Sequence, residues 1–119
     1  MNKLYLLILF LIYAGGVLGQ TSDLDELPLG VLREKLKTAK RDTNMVKIQL
    51  ALGHLILFKS GGGNAEIDSA LRFSAQSGIL SKQLKYDFGI VNSTLLSAEV
   101  SNVKKDFEKG LRKATQALN

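Results

Sequence analysis

The sequence of 119 residues contains no cysteine and no tryptophan, one proline and one histidine. Without cysteine there is no disulfide framework, no thiolate nucleophile, no Cys-based metal site and no lipoprotein anchor. With His54 as the only histidine, a metal site or a His-based nucleophile system has no second member. Aromatics are only 7% of the chain and do not interleave with the basic residues, which run no longer than Lys40-Arg41 or Lys104-Lys105. That pattern gives little support to nucleic-acid binding and reads as solvated helix faces. "SGGGN" at 60–64 lacks the Gly-Lys-Ser/Thr of a phosphate loop and follows a helix, so it reads as a linker. Asp23, Asp25 and Glu26 read as a solvated lead-in rather than a cation site, and the sequon "NST" at 92–94 falls inside a predicted helix. The expectation is therefore no catalytic residues, no metal and no cofactor.

Present instead is an apolar N-terminal run, Leu4 to Leu18, after a single Lys3. At 1.5 Å per residue it reaches only about 22 Å, short of a ~30 Å hydrocarbon core. Ala14, Gly15, Gly16 and Gly19 follow the pattern of a signal-peptidase site, which places the cut between Gly19 and Gln20 with Val17 at the −3 position. The expectation is export to the periplasm or medium of a bacterium, with membrane contact only through the signal peptide; the alternative is a retained anchor. Beyond Gly19 there are 15 Lys and Arg against 11 Asp and Glu, a mild basic excess.

Every later segment carries the helical period and none alternates like a strand, so the expected class is all-α. Residues 20–27 read as a polar, frayed lead-in, followed by a leading helix and turn over 28–43 striped by Leu29, Leu32, Leu36 and Ala39. Asp42 or Thr43 offers a cap for the next helix. That helix, 44–59, is apolar nearly all round and should lie between others. A third helix is expected at 65–79, striped by Ile67, Ala70, Leu71 and Ser74. A fourth spans 82–101, striped by Leu84, Phe88, Val91, Leu95 and Ala98; after an interruption at "SNVKKD" a fifth spans 105–118.

"DSALRFSAQS" from Asp68 is echoed by "EKGLRKATQA" from Glu108, with Leu71, Arg72 and Gln76 answered by Leu111, Arg112 and Gln116. "LALG" at 50–53 likewise falls against "LLSA" at 95–98 once "SGGGN" is treated as an insertion. Two units follow, 44–80 and 81–119.

These units resemble the tetratricopeptide repeat. Leu52-Gly53 match its first-helix Leu-Gly, Ala70 and Phe73 its second-helix small and aromatic positions, Phe107 its turn aromatic and Ala117 its late alanine. Gln49 and Thr94 depart from it where the family often has Trp. The resemblance implies antiparallel helix–turn–helix repeats stacked in a short right-handed solenoid. The whole is similar to exported sensor regions of bacterial histidine kinases, although these 119 residues include no kinase module. It implies a non-enzymatic interaction module, either entire or a truncated sensor region, that binds a peptide or partner helix at Lys47, His54, Asn92, Glu99 and Asn102. Self-association through Phe107, Leu111 and Leu118 of the last helix is expected too, since repeat arrays need covered ends. The alternative is a small secreted amphipathic protein that binds a lipid surface.

Overall fold

A computed structural model of the chain describes Leu24, residues 26–59 and residues 63–118, with the side chain of Leu118 excepted. The signal-peptide and cleavage-site expectations, Asp23 and Asp25 lie outside these residues. Among those described there are four helices and no strand: α1 (Leu29–Thr38), α2 (Thr43–Lys59), α3 (Asn64–Gln83) and α4 (Asp87–Leu118). No described helix is long and apolar enough to cross a membrane.

Pro28 precedes α1, where its missing N–H costs nothing. Asp42 caps α2, its Oδ1 accepting the Asn44 and Met45 amides at 3.0 and 3.3 Å. α2 is the central element, as its apolar circumference requires. Leu32, Ile48, Ala51 and Leu52 close the α1 side, with Leu24 and Leu27 packed against them. Val46, Leu50, Leu57, Ile67, Ala70, Leu80, Leu96 and Val100 close the side facing α3 and α4. The lead-in therefore contributes Leu24 and Leu27 to the core rather than fraying throughout.

α3 runs four residues past its expected end. Leu80 and Ser81 are buried and continue its inward stripe. The stop comes from a Schellman geometry: Lys85 sits at φ 53°, its N–H donates to the Lys82 carbonyl (3.2 Å) and the Tyr86 N–H to the Ser81 carbonyl (2.8 Å). A lysine holds the left-handed position where glycine is usual, so the composition does not advertise the stop.

The break expected at "SNVKKD" is absent, because residues 87–118 form one helix of 32 residues. Its polar residues point outward while Val103 and Phe107 stay packed against the core. No Gly or Pro stands at 101–106. Ser101 spends its hydroxyl on the Ser97 carbonyl at 3.1 Å, one turn back, instead of opening the backbone. The second unit, 81–119, is thus not a helix–turn–helix, and the turn lies at 84–86 instead. Leu71, Arg72, Gln76 and their echoes Leu111, Arg112, Gln116 are all exposed, so the shared letters occupy surface positions. Gly53 does serve a close approach, since a Cβ there would meet Leu96 Cδ2 at 2.5 Å and Phe73 Cβ at 3.4 Å. Gly110 has nothing within 4 Å.

The stripe expected to bury α4 is also rotated. Val91 and Leu95 are 56% and 54% exposed, and Ala98 is exposed. The inward face is instead Gly89, Ser93, Leu96 and Val100, all buried. It meets Ala70, Ser74, Ser77, Gly78 and Ser81 of α3, where small side chains let two backbones approach. Most hydroxyls in this seam are satisfied. Ser74, Ser77 and Ser93 donate to carbonyls three residues back (2.8–3.0 Å), and Ser97 donates to Ser74 Oγ at 3.0 Å.

The seam fixes the register. With Ser74 facing Ser97 and Gly78 facing Ser93 in antiparallel helices, Asn64 comes level with Phe107. Residues 108–118 therefore run past the start of α3, and 108–117 are exposed on every side. At ~1.5 Å per residue this overhang is about 16 Å long.

Candidate partner groove

α2 and α4 both run antiparallel to α3, so they are parallel to each other, with Gly53 seated against Leu96. Between them lies a groove of about 200 Å³. α2 supplies Lys47, Leu50, Ala51 and His54, α4 supplies Phe88 and Asn92, and Leu24 closes one end. The floor is apolar and the polar groups stand at its walls.

His54 lies one heptad beyond Lys47 on α2, and Glu99 one heptad beyond Asn92 on α4. Parallel helices carry such spacings in step, so the pairs Lys47/Asn92 and His54/Glu99 are separated by about 10.5 Å along the groove. His54 Nδ1 is 3.3 Å from Glu99 Oε2, with both side chains more than a third exposed (37% and 42%). The ring nitrogen is close enough for an ion pair, but it is not aligned as a hydrogen-bond donor, which leaves Glu99 Oε2 without a directed partner. Phe58 stacks on His54 with centroids 6.1 Å apart and planes inclined by 17°. Asn92 Nδ2 donates to the Phe88 carbonyl at 2.7 Å, which fixes the amide. Tyr86 packs beside Phe88, with centroids 5.7 Å apart, and burial pushes its phenol above its ordinary value of 10.0.

Of the five residues singled out in the sequence, Lys47, His54 and Asn92 line this groove and Glu99 contacts His54. Asn102 does not line it; it is exposed further along α4. Phe107, expected on the self-association stripe, is half-buried against the core, so that stripe begins at Leu111, which is 52% exposed. The Leu118 side chain lies outside the described residues. Sequence reasoning missed the apolar lining, Leu24, Leu50, Ala51 and Phe88. Leu24 was legible in principle from its spacing to Leu27, which places both on one side of a helical turn. The groove side of Leu50 and Ala51 was not, because every face of α2 is apolar. Among the described residues no three of His, Asp and Glu gather as metal ligands.

Comparison of the chain with protein-family models, with curated proteins and with solved structures finds no match in any of the three.

Proposed function

We propose that this chain is an exported, non-catalytic helical module that binds a protein partner along the α2–α4 groove. One observation carries the reading: two polar pairs, Lys47/Asn92 and His54/Glu99, flank an apolar floor at matched heptad spacing on parallel helices. That spacing of about 10.5 Å fits two turns of a partner helix, or three residues of an extended peptide. Exposed Phe58 and Leu95 flank the groove and would extend the apolar contact. The tetratricopeptide resemblance supports the same reading for the α2–α3 hairpin. A sensor role in envelope signalling rests on that resemblance alone.

The test is charge reversal at Lys47 and at Glu99. Exposed charges contribute more to recognition than to folding. Each variant should lose at least tenfold in affinity for the partner recovered from the host's envelope fraction, with an unchanged far-UV circular dichroism spectrum. Equal binding by both variants would remove the groove from the reading. Flotation of the protein with vesicles containing anionic phosphatidylglycerol, abolished by neither variant, would favour the lipid-surface alternative instead. N-terminal sequencing tests export: a mature protein beginning at Gln20 is expected, and a chain still beginning at Met1 in the membrane pellet would refute it.

A second partner, another copy of this chain, is favoured by the bare end of α4, where Leu111 is 52% exposed and no described helix lies opposite. Light scattering over a concentration series should show association in the wild type and its loss in Leu111→Glu.

A further inference from the structure

We infer that the α2–α4 groove takes the tail of α4 from a second copy of this chain, joining copies head to tail. The inference rests on reading that groove as a helix-binding site. Residues 108–117 are helical yet exposed on every side. They cannot fold back into their own groove, because α4 forms one of its walls and runs on from there as a single unbroken helix. A second copy presents the same groove without that constraint.

Charge and apolar spacing select one orientation. From Lys47/Asn92 to His54/Glu99 the groove passes from a cation to a carboxylate over about 10.5 Å. Lys47 is half-buried there, and neither ion pair among the described residues includes it. The tail carries the opposite order, with Glu108 one turn before Arg112 and both exposed. A tail lying parallel to α2 sets Glu108 beside Lys47. Arg112, about 6 Å further on, is then within side-chain reach of Glu99, whose side chain is 42% exposed. Leu111 stands three residues beyond Glu108, as Leu50 stands beyond Lys47, so it comes over the Leu50–Ala51 floor. Lys109 and Lys113 each lie about 160° around the tail from Leu111 and stay in water. The reverse orientation brings Glu108 to Glu99 and Arg112 towards Lys47, so like charges meet.

The lengths agree with this register. Gly53 is seated against Leu96, so Lys47 is level with Ile90 on the parallel helix. Placing Glu108 of one copy there displaces the copies along α4 by about 18 residues, or ~27 Å. In the first copy α3 begins level with Phe107, just short of Glu108, so its body stops where the next copy's groove begins. The overhang of about 16 Å then covers the groove's span of about 10.5 Å. A contact between two different surfaces of one chain is heterologous, and a displacement along parallel helices propagates rather than closes.

The test is sedimentation velocity on the full chain over a concentration series. The wild type should grow past the dimer without a plateau. Lys47→Glu and Glu108→Lys should each weaken association at least fivefold with unchanged circular dichroism, and the double variant should recover it. Leu111→Glu and Lys47→Glu, mixed in equal amounts, should give a one-to-one dimer and nothing larger, since each supplies one intact element. The inference is overturned by a monomer at every concentration, by a plateau at the dimer, by a double variant no better than the singles, or by undiminished association of Lys47→Glu. In that last case, loss of the envelope partner by Lys47→Glu would leave the groove reading standing without the tail, and unchanged partner binding would remove both.

Discussion

The two ends of α4 are one helix in two environments. From Asp87 to Val103 it packs against α2 and α3 through Gly89, Ser93, Leu96 and Val100. From Glu108 to Ala117 no described residue covers it, though the same spacing continues through Gly110, Ala114 and Ala117. Packing therefore decides what each residue contributes, while helix continuity needs only the absence of a breaker. A glycine shows the difference most directly. At position 89 a Cβ would collide with Ser81 Oγ and lie 2.8 Å from both Tyr86 and Val46, whereas at 110 it would meet nothing.

Truncation should separate the two ends most widely. Leu96→Ala empties a fully buried site and should cost about 2–5 kcal/mol, whereas Leu111→Ala should stay within about ±0.5 kcal/mol. Urea denaturation of both variants checks this, and comparable losses would mean that the tail is covered in solution.

The glycines should move stability in opposite directions. Gly89→Ala forces a shift in a tight seam and should cost about 1–3 kcal/mol. Gly110→Ala should instead favour the helical tail by up to about 1 kcal/mol. Because the tail lies outside the core, that gain should appear as slower amide exchange over 108–118 and hardly move the global melting temperature. A matching rise in the melting temperature would show that the tail folds with the core.

Titration offers the smallest contrast. Burial raises the folded-state pKa of Tyr86 at the packed end, so the protonated phenol is the form the fold accommodates. Its stabilising contribution is fully present below the ordinary value of 10.0 and is lost as pH rises through the raised folded value. Melts across that alkaline range should decline less steeply in Tyr86→Phe than in the wild type. Identical slopes would mean that the phenol is solvated.

Much of this was legible in the residues, and the errors share a cause. The all-helical class, the central place of α2 and the Asp42 cap followed from periodicity and local capping chemistry. Lys47, His54, Asn92 and Glu99 were named from the tetratricopeptide resemblance; the first three line the α2–α4 groove and Glu99 contacts His54. The end of α3 was misplaced because Lys85 takes a left-handed conformation that usually marks glycine. The break at "SNVKKD" was drawn from polarity alone, and a polar stretch without Gly or Pro can lie on the solvent side of an unbroken helix.

By itself, then, the sequence determined where chains of helical hydrogen bonds can form, because capping and periodicity act over one or two turns. Only the tertiary structure decided which face of α4 turns inward. The large residues Val91 and Leu95 would bury more apolar area, but the small face Gly89, Ser93 and Ser97 lets α4 approach the equally small face of α3. That choice depends on two surfaces fitting each other, and neither helix carries the information alone. The same rotation leaves Leu95 beside the groove, brings Glu99 to His54 and carries residues 108–118 past the start of α3.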